Sequence, residues 1–324
     1  MDAKTTEFLV FTAFNAVCLA AGYVARHRGW LNEHFSHRLH FITVVGVWAL
    51  VSLLSIWAMP MQMQNLWILA VTPMLVFGGA MLGLGAAKLA GCSRQAMGVM
   101  AIASGLGNLG FTAGAYLSYC LLEPRTDALS YGIAMVTVMQ VAAVPILYPI
   151  ARHYGQHRAD DQSMTQLVIH SFLDLRAMAL YAAIVGLGLA WSPMDPPKWV
   201  WDQNIMTSLF YLGAFGALFG IGMKVRLGDV RRYLKEHFIL TAIKFIAFPL
   251  MTWLILALID LTPLPLDRTL SQVFTLEAFM PTGLLTVMLA NLFHLDTRLA
   301  SMAWLWNSAL FVIGPLPLIL WWYA

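Results

Sequence analysis

Apolar residues in this chain run in long unbroken blocks, with neither the alternation of a half-buried strand nor the narrow stripe of a surface helix. A membrane-crossing helix takes about 20 predominantly apolar residues. Ten blocks meet that length: 7–25, 39–59, 66–88, 95–121, 129–150, 168–191, 203–223, 237–259, 269–293 and 299–321. The pattern predicts an all-α integral membrane protein of ten transmembrane helices. Connections between blocks are short, and only 156–167 reads as a polar linker on the cytoplasmic side.

Two blocks are interrupted near their middles. In the fourth, GLGNLGFTAGAYLSY (Gly105–Tyr119) crowds Gly107, Gly110 and Gly114 around Asn108 and Thr112. In the ninth, EAFMPTGLLTVML (Glu277–Leu289) places Pro281, Thr282 and Gly283 just after an intramembrane carboxylate, Glu277. Pro281 lacks an N–H and its ring clashes with the carbonyl four residues back, so a continuous helix is disfavoured there. The glycines weaken the other helix and let a second backbone approach closely. Interrupted helices in corresponding places of two halves point to the binding site of a secondary transporter.

The halves themselves leave a trace. Pro73 and Pro249 are offset by 176 residues, Asn108 and Pro281 by 173, and Pro145 and Pro315 by 170. Three helix-breaking landmarks at nearly one spacing predict two five-span repeats, 1–155 and 168–324. Five is odd, so the second repeat would enter the membrane inverted, with spans 4 and 9 broken and crossing.

Composition agrees with a membrane solvent. Charged residues make up 11% and hydrophobic residues 60% of the chain, with mean hydropathy +0.72, against about 25% charged in soluble domains. The N-terminal block is long, is not preceded by a basic start and is followed by Arg26 and Arg28, so it reads as the first span rather than a cleaved signal. Fourteen of the 19 lysines and arginines fall in the loops after spans 1, 3, 5, 7 and 9, and four (Lys4, Arg125, Lys198, Arg268) on the other side. The bias predicts a cell (inner) membrane protein with both termini outside the cytoplasm. The net charge of +3 comes from these loops and forms no nucleic-acid patch, and the scattered Cys18, Cys92 and Cys120 imply no disulfide framework.

If the two breaks unwind and cross, four half-helix ends converge. N-terminal ends suit an anion, whereas freed carbonyls and carboxylates suit a cation. Asn108, Thr112, Glu277, Pro281 and Thr282 are the candidate lining, with Gly107, Gly110, Gly114 and Gly283 as crossover positions. The bland alternative for each break is a packing kink. Glu277 is the sharpest candidate, because a carboxylate inside a span is costly and usually faces a cavity, a partner or an ion path. It could carry a proton, ligate sodium with backbone carbonyls and Asn108 or Thr282, or pair structurally with Lys244. Lys244 could instead snorkel to the interface. Gln140 and Asn307, on the spans that would flank the crossing, read equally as ligands or interhelical glue. His34, His37 and His40 have helical spacing and superficially suggest a metal site, but an interfacial amphipathic turn fits their neighbours better. The glycines of GAFGALFGIG (Gly213–Gly222) predict tight helix packing. No catalytic constellation, cofactor motif or metal motif is present, so an enzyme is not expected.

Several motifs resemble the auxin efflux carrier family, whose fold is that of the bile acid:sodium symporter superfamily. GYVARHRGWLNE (Gly22–Glu33) is similar to its opening motif and NLGF (Asn108–Phe111) to its Asn-x-Gly-Phe break. KFIAFPL (Lys244–Leu250) and MPTGLLTVMLANLFHLDTRLAS (Met280–Ser301) are similar to its eighth- and ninth-span patterns. The resemblance implies a permease in which a transport domain moves, elevator-like, against a scaffold, and it implies carboxylate substrates such as malonate, malate or auxin-like acids. The chain departs from the pattern at Ala115, where the family's break carries a proline, and in spans 2 and 7, which lack prolines. Glu277 before Pro281 is similar to the sodium-symporter branch, where a glutamine stands at the proline position. The expected partners are a small organic anion and the lipid bilayer. The coupling ion, proton or sodium, is left open, as is a homodimer. A sodium-coupled symporter of an acidic solute and a transport-inactive sensor of the same fold are the alternatives.

Overall fold

The computed structural model describes residues 3–58, 63–110, 113–155, 169, 172–197, 199–224 and 232–323. Thr112 and the expected linker 156–167 lie outside them. Every described element is helical: α1 (Ala3–His27), α2 (Glu33–Ile42), α3 (Trp48–Trp57), α4 (Leu66–Leu89), α5 (Arg94–Gly105), α6 (Gly114–Leu121), α7 (Arg125–Tyr154) and α8 (Met178–Ala190). There follow α9 (Trp199–Asp202), α10 (Ile205–Gly222), α11 (Leu234–Ala242), α12 (Phe248–Asp260), α13 (Arg268–Ala278), α14 (Leu284–Leu292), α15 (Thr297–Ile313) and α16 (Pro315–Tyr323). Among the described residues, six helical stretches are long and apolar enough to cross a membrane: Glu33–Trp57, Leu66–Leu89, Asp127–Tyr154, Ile205–Gly222, Leu234–Asp260 and Thr297–Tyr323.

Local chemistry sets where these helices begin. Asn32 accepts the Phe35 N–H at 3.1 Å, so the second span starts at Glu33 rather than at the expected 39. Ser93 caps α5, and Asp267 caps α13 through the Leu270 N–H at 3.2 Å. Two spans contain a single π-helical turn, Thr43–Val47 between α2 and α3 and Ile243–Ala247 between α11 and α12. The sixth block differs from its expected 168–191. Its helix α8 covers 13 residues, because a 3₁₀ turn at Leu175–Ala177 precedes it. The tenth bends at Gly314–Pro315, where the proline has no N–H to continue the ladder.

The helices sort into two groups by contact. α1 packs on α10, α2 on α10, and α3 on α8. The glycines of α10 serve this packing: a Cβ at Gly222 would strike the Leu19 carbonyl and one at Gly220 the His40 ring. The second group holds α4 to α7 with α11 to α15, and α4 lies on α5 with almost no side chain between them. A Cβ at Gly105 would sit 2.7 Å from the Val76 carbonyl oxygen. The groups meet where α2 and α10 touch α14, and where α3 and α8 touch α7.

Candidate functional site

Both predicted interruptions are present, and they are bonded to each other. α5 ends at Gly105, Leu106 is extended (φ −104°, ψ 124°), and the chain re-enters a helix at Gly114. α13 ends at Ala278, and α14 begins after an extended Gly283 (φ −72°, ψ 151°). The Asn108 N–H donates to the Pro281 carbonyl at 2.8 Å and the Gly283 N–H to the Leu106 carbonyl at 3.1 Å. These bonds flank an antiparallel bridge between Gly107 and Thr282. In an apolar interior an opened helix leaves backbone groups without partners. Here each opening supplies the partners that the other lacks. The first break also caps its own continuation, since the Gly114 N–H reaches the Asn108 carbonyl at 3.1 Å and the Ala115 N–H that of Leu109 at 2.9 Å.

Glycine is required where backbones touch. A Cβ at Gly283 would lie 2.5 Å from the Gly107 carbonyl oxygen, and one at Gly107 would lie 2.6 Å from a Leu109 methyl. A Cβ at Gly114 would strike the Glu277 carboxylate. Gly110 is different: among the described residues the nearest such neighbour is a Val136 methyl at 3.9 Å.

Glu277 lies in the last turn of α13 and is 2% exposed. Neither carboxylate oxygen has a hydrogen-bond partner among the described residues. Gly114 of α6 and Gly132 of α7 leave the space that its carboxylate fills. It lines a cavity of about 20 Å³ with Thr72, Gly105, Gly107, Phe248 and Phe274. That volume suits about one water molecule. A second cavity, of about 60 Å³, shares the Gly107–Leu109 strand. Asn108 and Gln140 both line it, along with Gly110 and with Leu284 and Leu285 from the first turn of α14. Its far wall is Phe11, Trp48, Phe210 and Ala214, so it lies on the seam between the two helix groups.

Lys244 takes neither of its expected places. It makes no ion pair with Glu277 and does not reach the interface, being 1% exposed on the π turn Ile243–Ala247. Its ammonium donates to the Leu106 carbonyl at 3.2 Å, on the paired strand itself. The candidates divide accordingly. Asn108, Gln140 and Gly110 share the larger cavity, and Glu277 the smaller one, with Gly107 between them. Pro281 and Thr282 are buried within the pairing, where the Thr282 hydroxyl donates to the Ala103 carbonyl at 3.4 Å. Asn307 lines neither cavity and donates to the Ala303 carbonyl of its own helix at 3.1 Å.

Two features escaped the sequence. The target of Lys244 is one, since the residues involved are far apart along the chain. The other is a buried polar cluster that His40, placed above on an interfacial turn, helps to form. Ser36 donates to the Gly220 carbonyl at 2.9 Å, and His40 Nε2 lies 3.2 Å from the Ala217 carbonyl. The Asn291 amide approaches His40 Nδ1 at 3.1 Å and Ser36 Oγ at 3.4 Å. The early start of α2 at Glu33 carries these side chains into the seam.

A chain of apolar helices organised around two mutually paired breaks is the architecture of a carrier, and comparison with known sequences decides the family. The family described as "Membrane transport protein", that of the auxin efflux carriers, matches residues 13–321. The chain belongs to this family. No curated protein matches it significantly. As a member of the membrane transport protein family with repeated apolar helices, it is a multi-pass membrane protein and a transporter. The family match spans both breaks, Glu277 and Lys244, and every residue named on the two cavities except Phe11.

Proposed function

We propose that this transporter is a secondary permease for organic anions, with carboxylates as its substrate class. The carrying observation is the larger cavity, which brings Asn108, Gln140 and the first turn of α14 together at the paired breaks. Amide donors and the positive end of a helix dipole favour an anion. At about 60 Å³ the cavity is far smaller than the roughly 300–1,000 Å³ of ordinary ligand pockets. Binding an organic acid there requires the two helix groups to separate along the seam. The supported movement is therefore elevator-like, with α4–α7 and α11–α15 travelling against α1–α3, α8 and α10. On this reading the chain makes ten spans as two inverted halves, each with its fourth span broken, in a cell membrane with both termini outside the cytoplasm.

Glu277 is then the coupling group, and the proton is its ion. An isolated carboxylate out of water is costly as an anion, and proton uptake removes that cost. Its surroundings also favour the proton over sodium. Among the described residues its cavity is lined largely by glycines and apolar side chains, with Thr72 the one hydroxyl.

The test is uptake of labelled dicarboxylates and aromatic acids into proteoliposomes under imposed proton and sodium gradients, applied separately. Saturable uptake of one such acid, driven by the proton gradient, is the expected result. A protein that binds and moves none of them refutes the assignment. Glu277→Gln is expected to abolish proton-driven accumulation while the purified variant stays monodisperse. A variant that accumulates substrate with the wild-type response to pH would exclude the coupling role.

A further inference from the structure

We propose that Lys244 is the built-in cation of the crossing, its ammonium holding the place where a sodium-coupled carrier would bind a metal ion. The inference rests on reading the paired breaks as the transport site. In carriers with broken helices, freed carbonyls and half-helix C-terminal ends are the groups that coordinate a coupling cation. Leu106 is such a group: it is the C-cap residue of α5, at the negative end of that helix's dipole. Its carbonyl already accepts the Gly283 N–H at 3.1 Å, and the Lys244 ammonium adds a second donor at 3.2 Å. The ammonium also lies 4.5 Å from the centre of the Phe248 ring, a face that attracts positive charge. A Cβ on Gly107 would come within 3.8 Å of it, so it sits against the bridge itself.

Two further facts separate this arrangement from ordinary packing. A buried lysine normally pairs with a carboxylate, and lysine is almost never fully buried unpaired. Lys244 is 1% exposed and no described carboxylate forms an ion pair with it. Glu277, the carboxylate of the site, lines the small cavity together with Gly107 and with Phe248, over whose ring the ammonium lies. The lysine is also held on a π turn in mid-span, and such turns are frequent at functional sites. The positive ammonium on the Leu106 carbonyl keeps a metal ion from that oxygen by its charge. The consequence is a carrier whose crossing holds its own amino group in that place and which runs without sodium.

Lys244→Gln and Lys244→Met test this. Glutamine retains a donor for the Leu106 carbonyl but removes the charge, so it isolates the cation from the tie between helices. The readout is the melting temperature of the purified protein in choline, sodium or methylammonium chloride. The wild type is expected to melt at one temperature in all three salts. Both variants are expected to melt several degrees higher in sodium or methylammonium than in choline, because a cation then binds the folded state alone. If Met proves too unstable to purify, Gln carries the test. Variants that respond like the wild type, or a wild type stabilised by sodium over choline, would overturn the proposal. This readout needs no substrate, so failed uptake with a positive cation shift sinks the transport reading only, and the reverse pattern sinks only the role of Lys244.

Discussion

At the scale of single residues, the site is defined by what glycine leaves out. The Glu277 carboxylate occupies the volume that a side chain at 114 would take. Gly114→Ala is therefore an overpacking change against a buried polar group, and such changes cost about 1–3 kcal/mol. The expected result is a clear drop in melting temperature in detergent. Combining it with Glu277→Ala removes the collision, so the double variant should melt above the sum of the two single effects. Strict additivity would show that the two residues do not share the space. The intramembrane carboxylate of Glu277 was visible in the sequence, and its burial against Gly114 and Gly132 is what the structure adds. Lys244 was equally visible but its partner was not, since a backbone carbonyl carries no sequence signal. Asn307 shows the converse: a polar residue in a span that looks like a ligand can be satisfied by its own helix.

At the scale of elements, the positions of both breaks followed from Gly, Pro and Asn, which weaken helices in any setting. That the breaks hydrogen-bond to each other did not follow, because backbone pairing between distant segments depends on the whole fold. In span 6 the structure adds a feature that hydropathy does not register, the 3₁₀ turn at Leu175–Ala177 ahead of α8. The pairing can be tested by contrasting two glycines. Gly283→Ala puts a methyl 2.5 Å from the Gly107 carbonyl oxygen, whereas Gly110→Ala meets nothing closer than 3.9 Å among the described residues. The first should lower both the melting temperature and the monodisperse fraction on size exclusion. The second should change stability by less than about 0.5 kcal/mol, as substitutions away from tight features do. Equal tolerance of both would mean that the 107–283 contact does not hold the crossing together.

At the scale of the whole molecule, the question is whether the seam between the helix groups opens. The buried cluster of Ser36, His40 and Asn291 joins α2 to α14 across that seam, while the hydrogen bonds from Ser36 and His40 to Gly220 and Ala217 stay within one group. Buried polar contacts of this kind are directional and discrete, so they favour two distinct arrangements over a continuum. The Asn291 amide nitrogen and the Ser36 hydroxyl are 3.4 Å apart, so cysteines at the two positions would face each other across the seam. In a background lacking Cys18, Cys92 and Cys120, Ser36→Cys with Asn291→Cys should cross-link on oxidation and stop flux in proteoliposomes. Reductant should restore it, and each single cysteine variant should be insensitive to oxidant. A cross-linked protein that keeps its flux would mean that α2 and α14 travel together, and the moving boundary would then have to be redrawn within one of the two helix groups.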